Sequence, residues 1–343
     1  MKPLFILGTR PEAIKLAVLI KKFKNAEVCF TGQHKELADD VLKYFKIKPK
    51  YRLNLMKKNQ NLFDLTANGL LKLKPAIEKS KPDIIFVQGD TTSALIGALA
   101  GFYNNIKVAH VEAGMRTYNK HSPFPEEMNR SLLSQLADFH FTPTDKEEKN
   151  LFLERKALNV CVVGNTGIDA LLVTAKKITT TKTILVTGHR RESFGEPLKN
   201  ICLAIRSIAI KNPDFTILFP VHPNPNVHKQ VDKILRWKNI KLVNPLPYKE
   251  FVKAMASCYF IITDSGGIQE EAPYLGKPVL VTRTTTERPH ETARIVGTKT
   301  EDIIDAALQL IDNPNYYKRM SAVSQPFGDG KASERIYNYL NKI

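Results

Sequence analysis

The sequence predicts an α/β protein with two parallel sheets, one in each of two domains, and three observations carry that expectation. Short β-type runs alternate with helix-length amphipathic segments from one end of the chain to the other, the pattern of strand–helix–strand crossovers. The runs are largely apolar, as suits buried parallel strands. The chain has 343 residues, more than the roughly 250–300 at which a single core stops growing.

Taken in order, the first half offers strands at Leu4–Leu7, Val28–Thr31, Asp83–Val87, Val108–Val111, Phe139–Thr142 and Val160–Val163. The second offers Thr183–Thr187, Phe215–Val221, Ile240–Val243, Tyr259–Thr263 and Val279–Thr282. Between them, Asp169–Leu172 is helical in character and leads into Ile178–Thr183, whose polar β-branched composition suits a linker. The expected domains are therefore 1–176 and 177–325. From Glu301 three helical patterns follow, separated by Asn313-Pro314 and by Pro326-Phe-Gly-Asp-Gly330. The last of them, in 326–343, is expected to pack back on the first domain.

Composition narrows the class. The net charge of +17 calls for a test of nucleic acid as partner. The lysines lie scattered on helix-like faces without a basic stripe, interleaved aromatics or a helix-turn-helix pattern, so no nucleic-acid partner is expected. The four cysteines, Cys29, Cys161, Cys202 and Cys258, are far apart in apolar runs and read as buried free thiols of a reducing compartment. No metal is expected. No apolar run approaches the ~20 residues of a membrane span, and the N-terminus lacks a signal-peptide pattern, so a cytoplasmic protein without a membrane partner is expected.

In open α/β sheets ligands bind at the carboxyl ends of the strands. After the first strand, Gly8-Thr9-Arg10-Pro11-Glu12 turns into a helix with proline in its first turn, which puts Arg10 at a helix N-terminus as a phosphate clamp, or in an ion pair with Glu12; Lys15 lies one turn on. The loop is neither a Walker nor a Gly-x-Gly-x-x-Gly motif, so neither a nucleoside triphosphate nor a dinucleotide is indicated. The third and fourth strands run into Asp90 and Glu112, each beside small residues. A carboxylate behind an apolar strand is costly unless paired or functional. Asp90 also suits the N-cap of a helix from Thr91; Glu112 has no such alternative. Glu126 and Arg130, four apart after a Pro-rich loop, share a helix face and suit an ion pair.

In the second half, Gly188-His189-Arg190-Arg191-Glu192 makes a charged turn in which His189 suits a proton donor or phosphate ligand. Asp264-Ser-Gly-Gly-Ile-Gln-Glu-Glu271 follows an apolar strand with a hydroxyl and two glycines and then opens a helix, the composition of a phosphate seat. Glu270 and Glu271 are expected in the first turn of that helix, beside whatever the seat holds, where a ribose diol is one good partner. Arg288 is placed by sequence to reach the same anion as Ser265.

These motifs, with Gln-Gly-Asp-Thr-Thr-Ser at 88–93, Val-Glu-Ala-Gly at 111–114, Pro-Phe-Pro-Glu-Glu before Asn129-Arg130, Gly-Asn-Thr at 164–166 and Thr-Glu-Arg-Pro at 286–289, together resemble the non-hydrolysing UDP-N-acetylglucosamine 2-epimerases over nearly the whole chain. The resemblance implies a GT-B-like fold, two Rossmann-like domains with parallel sheets facing across a cleft. It implies interconversion of UDP-GlcNAc and UDP-ManNAc by anti elimination of UDP to a 2-acetamidoglucal and re-addition, supplying surface polysaccharide precursors without a cofactor.

By the same resemblance Asp90, Glu112 and Glu126 are the acids and bases, Arg130 supports Glu126, and His189 assists at the leaving phosphate. Arg10, Lys15, Ser265, Gly266, Gly267 and Arg288 hold pyrophosphate and sugar, Glu271 takes the ribose hydroxyls and Phe251 lies by the uracil. A second, regulatory UDP-GlcNAc near Gln33 and His34 and a homodimer complete the expectation. The rival readings are a 2-epimerase of a UDP-2,3-diacetamido-uronic acid, a hydrolysing epimerase, a glycosyltransferase of the same architecture, and a catalytically silent UDP-sugar sensor.

Overall fold

The computed structural model describes residues 1–33, 35–56, 61–154, 158–175, 178–188, 195–221, 225–284 and 291–342. The chain divides into two compact units, Met1–Val173 with Phe327–Ile343, and Thr174–Pro326.

The first unit is wound from β1 (Pro3–Leu7), α1 (Arg10–Lys22), β2 (Glu27–Phe30), α2 (Lys35–Tyr44), β3 (Tyr51–Arg52), α3 (Leu62–Ser80), β4 (Ile84–Gln88), α4 (Thr92–Tyr103), β5 (Lys107–Val111), α5 (Glu126–Leu136), β6 (Phe139–Thr142), α6 (Asp145–Leu153), β7 (Val160–Val162) and α7 (Thr166–Thr174). Its seven strands are all parallel in the order β3-β2-β1-β4-β5-β6-β7. β1 and β4 are buried at every residue. They lie side by side at the sheet's centre, which is why Pro3–Leu7 and Ile84–Val87 read as unbroken apolar runs.

The second unit contains β8 (Thr183–Thr187), α8 (Glu196–Lys211), β9 (Thr216–Pro220), α9 (Pro225–Ile234), β10 (Ile240–Val243), α10 (Tyr248–Ser257), β11 (Phe260–Thr263), α11 (Gly266–Glu271), β12 (Val279–Val281), β13 (Ala293–Ile295), α12 (Thr300–Asp312) and α13 (Pro314–Met320). Its six strands are parallel in the order β10-β9-β8-β11-β12-β13. Both sheets therefore have the doubly wound, Rossmann-like order, in which the winding reverses between the first and fourth strands and leaves a binding crevice there. The reversal falls between β1 and β4 in one unit and between β8 and β11 in the other.

Two strands lacked a sequence signal. β3 and β13 are edge strands of two and three residues, too short to make an apolar run of their own. Cys29, Cys202 and Cys258 are buried and burial pushes each thiol up to about 12; Cys161 departs from the expectation in being only half-buried, because its strand β7 ends the sheet.

The chain returns to the first unit through α14 (Ala332–Leu340). The buried carboxylate of Asp169 accepts the first backbone N–H groups of this helix, from Ala332 at 3.1 Å and Ser333 at 2.6 Å, and so neutralises part of its positive end. Tyr337 packs edge-on against Phe23, and Tyr339 against Phe141.

Candidate active site

At the reversal point of the first sheet, Gly8 is required by close approach: a Cβ there would lie 2.1 Å from Thr31 Oγ1 and 2.3 Å from Ser93 Oγ. Thr9 then caps α1 and forms a capping box with Glu12. Glu12 Oε2 accepts the N–H groups of Gly8 (2.9 Å) and Thr9 (2.7 Å), while Oε1 accepts the Thr91 hydroxyl at 2.6 Å. Burial nevertheless raises its pKa above the ordinary carboxylate value. Both oxygens of Glu12 are committed to these turns, so the alternative of an Arg10–Glu12 pair is not the arrangement found. Arg10 is the first residue of α1.

β4 and β5 are adjacent and paired in register, with Gln88 opposite Val111. The two candidate carboxylates leave the sheet just beyond this pair. Gly89 turns with φ +69° and Glu112 with φ +66°, a left-handed backbone that costs a non-glycine residue roughly 1–2 kcal/mol. A residue kept in that conformation at a strand terminus marks a position where side-chain direction matters more than local stability. A Cβ at Gly89 would lie 3.4 Å from Glu112 Oε2, so the carboxylate sits against the Gly89 backbone. Its two oxygens are held by the Lys15 ammonium and the Gln88 amide. Lys15, expected in the ligand-holding set, thus faces Glu112.

Asp90 is not the helix cap. Thr91 caps α4 by accepting from Ala94 N, which leaves the Asp90 side chain to Arg130, whose Nε (2.8 Å) and Nη2 (2.7 Å) both reach Asp90 Oδ2. Asn129 Nδ2 donates to the Asp90 carbonyl at 2.8 Å. The expected Glu126–Arg130 pair does not form. Glu126, at the first position of α5, makes no side-chain hydrogen bond among the described residues, whereas Glu127, three before Arg130, points inward and accepts from Arg130 Nη1 at 2.9 Å. One position along the helix is a 100° rotation, enough to exchange the buried face for a half-exposed one. Sequence spacing did not single out Glu127, because i,i+3 and i,i+4 pairs are equally permitted.

Beneath Asp90, His110 is fully buried on β5 and its Nε2 donates to the Gly89 carbonyl at 2.7 Å. A carbonyl only accepts, so the proton resides on Nε2. Burial, followed by the repulsion of His140, Arg116 and Arg130, pushes the imidazole down to about 3 despite that bond, and it stays neutral. The signal for His110 in the sequence was slight, a histidine inside an apolar strand.

In the second unit Thr187 and Thr263 end the two central strands with their hydroxyl oxygens 2.6 Å apart, and Thr263 Oγ1 accepts from Ser265 N at 2.9 Å. Ser265 occupies the N-cap position of α11 yet its side chain caps none of the helix N–H groups. Gly266 is buried; Gly267 is exposed, and a Cβ added there would meet nothing closer than Ser265 Oγ at 4.0 Å. Glu270 and Glu271 stand at the end of α11 rather than in its first turn, because the helix starts right after Ser265 and lasts six residues. Glu270 is buried and Glu271 half-buried; Phe251 is half-buried on α10, whose first turn it closes through Pro247 O. His189 and Arg288 lie outside the described residues, as does His34. Its neighbour Gln33 accepts the Ser93 hydroxyl at 2.8 Å. Among the described residues no group of three or more His, Cys, Asp or Glu side chains is placed to hold a metal ion, and no helix is long and apolar enough to cross a membrane.

What this arrangement offers chemically is two carboxylates on neighbouring strands, each beside a fixed cation, in one unit, and a small-residue strand-to-helix turn in the other. The comparisons with known proteins agree on its family. Residues 20–341 match the family model described as UDP-N-acetylglucosamine 2-epimerase. The chain is 48% identical to the Campylobacter jejuni UDP-N-acetylglucosamine 2-epimerase across 99% of this chain and 97% of that one. Its fold is similar to that of the Neisseria meningitidis UDP-GlcNAc 2-epimerase bound to UDP-GlcNAc, with a TM-score of 0.93 and 44% identity over the whole of both chains. The Methanocaldococcus jannaschii UDP-GlcNAc 2-epimerase in complex with UDP-GlcNAc and UDP gives a TM-score of 0.86 at 33% identity, again over both whole chains. The chain belongs to the UDP-N-acetylglucosamine 2-epimerase family.

Proposed function

We propose that the protein interconverts UDP-GlcNAc and UDP-ManNAc by a non-hydrolysing route. The observation that carries this reading is the pair Asp90 and Glu112, which leave adjacent strands beside Arg130 and Lys15 respectively. A sugar C2–H is far from acidic, so its removal requires a positioned base as the C1–O bond breaks and the electron pair departs with UDP. The product of that step is a 2-acetamidoglucal with a C1=C2 double bond. Return of a proton to the opposite face of C2, with UDP re-adding at C1, gives the epimer. Two faces call for two proton-handling groups. Asp90 and Glu112 fill these roles, and Glu126, half-exposed at the start of α5, is the third candidate.

In this reading Ser265, Gly266 and Gly267 hold the pyrophosphate with Arg10 and Arg288, Glu271 takes the ribose hydroxyls, Phe251 lies by the uracil and His189 assists the leaving phosphate. No cofactor enters the reaction. The protein works in the cytoplasm as a homodimer and supplies surface polysaccharide precursors, with a second UDP-GlcNAc binding near Gln33 and His34. The relatives bound to UDP-GlcNAc and UDP support the choice of nucleotide sugar.

Incubation with UDP-GlcNAc in deuterium oxide tests the reading. Deuterium at C2 together with a UDP-ManNAc signal is expected. Free ManNAc would identify a hydrolase instead, and binding without exchange a silent sensor.

A further inference from the structure

Glu127 is more deeply buried than the carboxylate it helps to arrange: its side chain is 4% exposed, that of Asp90 26%. A buried carboxylate is costly unless its oxygens are satisfied, and here both are. Oε1 accepts the backbone N–H groups of Thr117 and Tyr118, both at 2.9 Å, and Oε2 accepts Arg130 Nη1 at 2.9 Å. Burial works against its charge, but the Tyr118 and Thr117 amides and the Arg130 guanidinium outweigh it and hold the group below the usual carboxylate range. Glu127 is therefore a fixed anion.

Its three bonds reach Arg130, which holds Asp90, and the backbone of the segment that follows Glu112. The guanidinium of Arg130 is gripped on one edge by Glu127 and presents the other, Nε and Nη2, to Asp90. With Asp90 as sole anchor the planar group would swing about its last side-chain torsion; the second anchor removes that freedom. The other two bonds fasten the middle of the connection that begins at Glu112. Tyr118, midway between β5 and α5, like Glu112 has a left-handed backbone, φ +61°, and its hydroxyl donates to Asn150 at 2.8 Å. A surface ion pair of this spacing is worth only tenths of a kcal/mol and would explain none of these backbone bonds.

We propose that Glu127 is a positioning residue of the reaction: it fixes Arg130 against Asp90 and pins the Thr117–Tyr118 turn that follows Glu112, without touching the sugar. The proposal rests on reading Asp90 and Glu112 as the groups that handle the proton.

The test is Glu127→Gln in the full chain. Its carbonyl oxygen keeps the two backbone bonds, while its amide turns a donor toward Arg130. Loss of one charge-assisted bond predicts that kcat and C2 deuterium exchange fall about 10- to 100-fold, with KM for UDP-GlcNAc and the affinity for UDP changed less than about threefold. Added to Arg130→Met, Glu127→Gln should slow the enzyme no further, because both act through one guanidinium. Glu127→Asp, which keeps the charge, should recover part of the loss, and its kcat against KM carries the same decision if the Gln variant fails to fold. A wild-type kcat, a loss shared equally by KM, or effects that multiply in the double variant would overturn the proposal. Asp90→Asn separates the two levels. If it exchanges C2 at the wild-type rate the reading of Asp90 fails, whereas an inert Asp90→Asn beside a normal Glu127→Gln sinks only the role of Glu127.

Discussion

The Lys15 ammonium rests on one oxygen of Glu112 while the Gln88 amide holds the other. Both donors orient the carboxylate. Replacing it by an isosteric amide, Glu112→Gln, should cut C2 exchange by about 10²–10⁴-fold, the usual worth of a positioned acid or base. UDP affinity, measured by calorimetry, should stay within about threefold. Exchange near the wild-type rate would remove Glu112 from the chemistry.

The opposite division is expected for Glu271, at the end of α11 in the second unit. Glu271→Ala should weaken UDP binding by about tenfold or more, the value of a lost hydrogen bond to a charged group. At saturating substrate it should leave kcat within a few-fold of wild type. The measurement is a UDP titration paired with saturation kinetics.

His110 supplies a pH dependence whose direction can be worked out. Its folded pKa of about 3 lies below the ordinary imidazole value of 6.5. As pH falls through 6.5 the unfolded chain takes up a proton that the folded chain refuses until about pH 3, so stability is lost across that window and is unaffected above it. The limiting slope is about 1.4 kcal/mol per pH unit. His110→Gln retains a donor for the Gly89 carbonyl and cannot ionise. Thermal melts at stepped pH should show a shallower fall in Tm for the variant between pH 6.5 and 3. Parallel curves would contradict the assignment.

Asp169 caps a helix that is distant in sequence. Asp169→Ala leaves the first N–H groups of α14 without an acceptor and should destabilise the first unit by about 1–2 kcal/mol, read as a lowered denaturant midpoint. Asp169→Asn, which retains one acceptor oxygen, should lose less. Equal stability of Asp169→Ala and wild type would show the cap to be dispensable.

The sheet centres were legible in the sequence because burial on both faces selects apolar side chains, as at β1 and at Ile84–Val87 of β4. The edges were not, since β3 and β13 owe their pairing to a neighbour and not to their own composition. Asp90 and Glu112 stood out because a carboxylate directly behind an apolar strand is costly unless paired or functional. Their partners were harder to read. The choice of Glu127 over Glu126 depends on the rotation of α5 against β4, and the commitment of Glu12 to a capping box depends on Thr91, far away in sequence. Helix length misled as well: α11 is so short that Glu270 and Glu271 fall at its end.

The first unit is interrupted in sequence by the whole of the second. Asp169 waits for Ala332 and Ser333, and everything from Thr174 to Pro326 is synthesised in between. Domains generally fold as units while the chain emerges at about 5–20 residues per second. The sheet carrying Asp90 and Glu112 is therefore made well before α14, and the second unit, contiguous in sequence, is complete before that helix. A nonsense codon soon after Pro326 would thus damage the earlier-made unit and spare the later one.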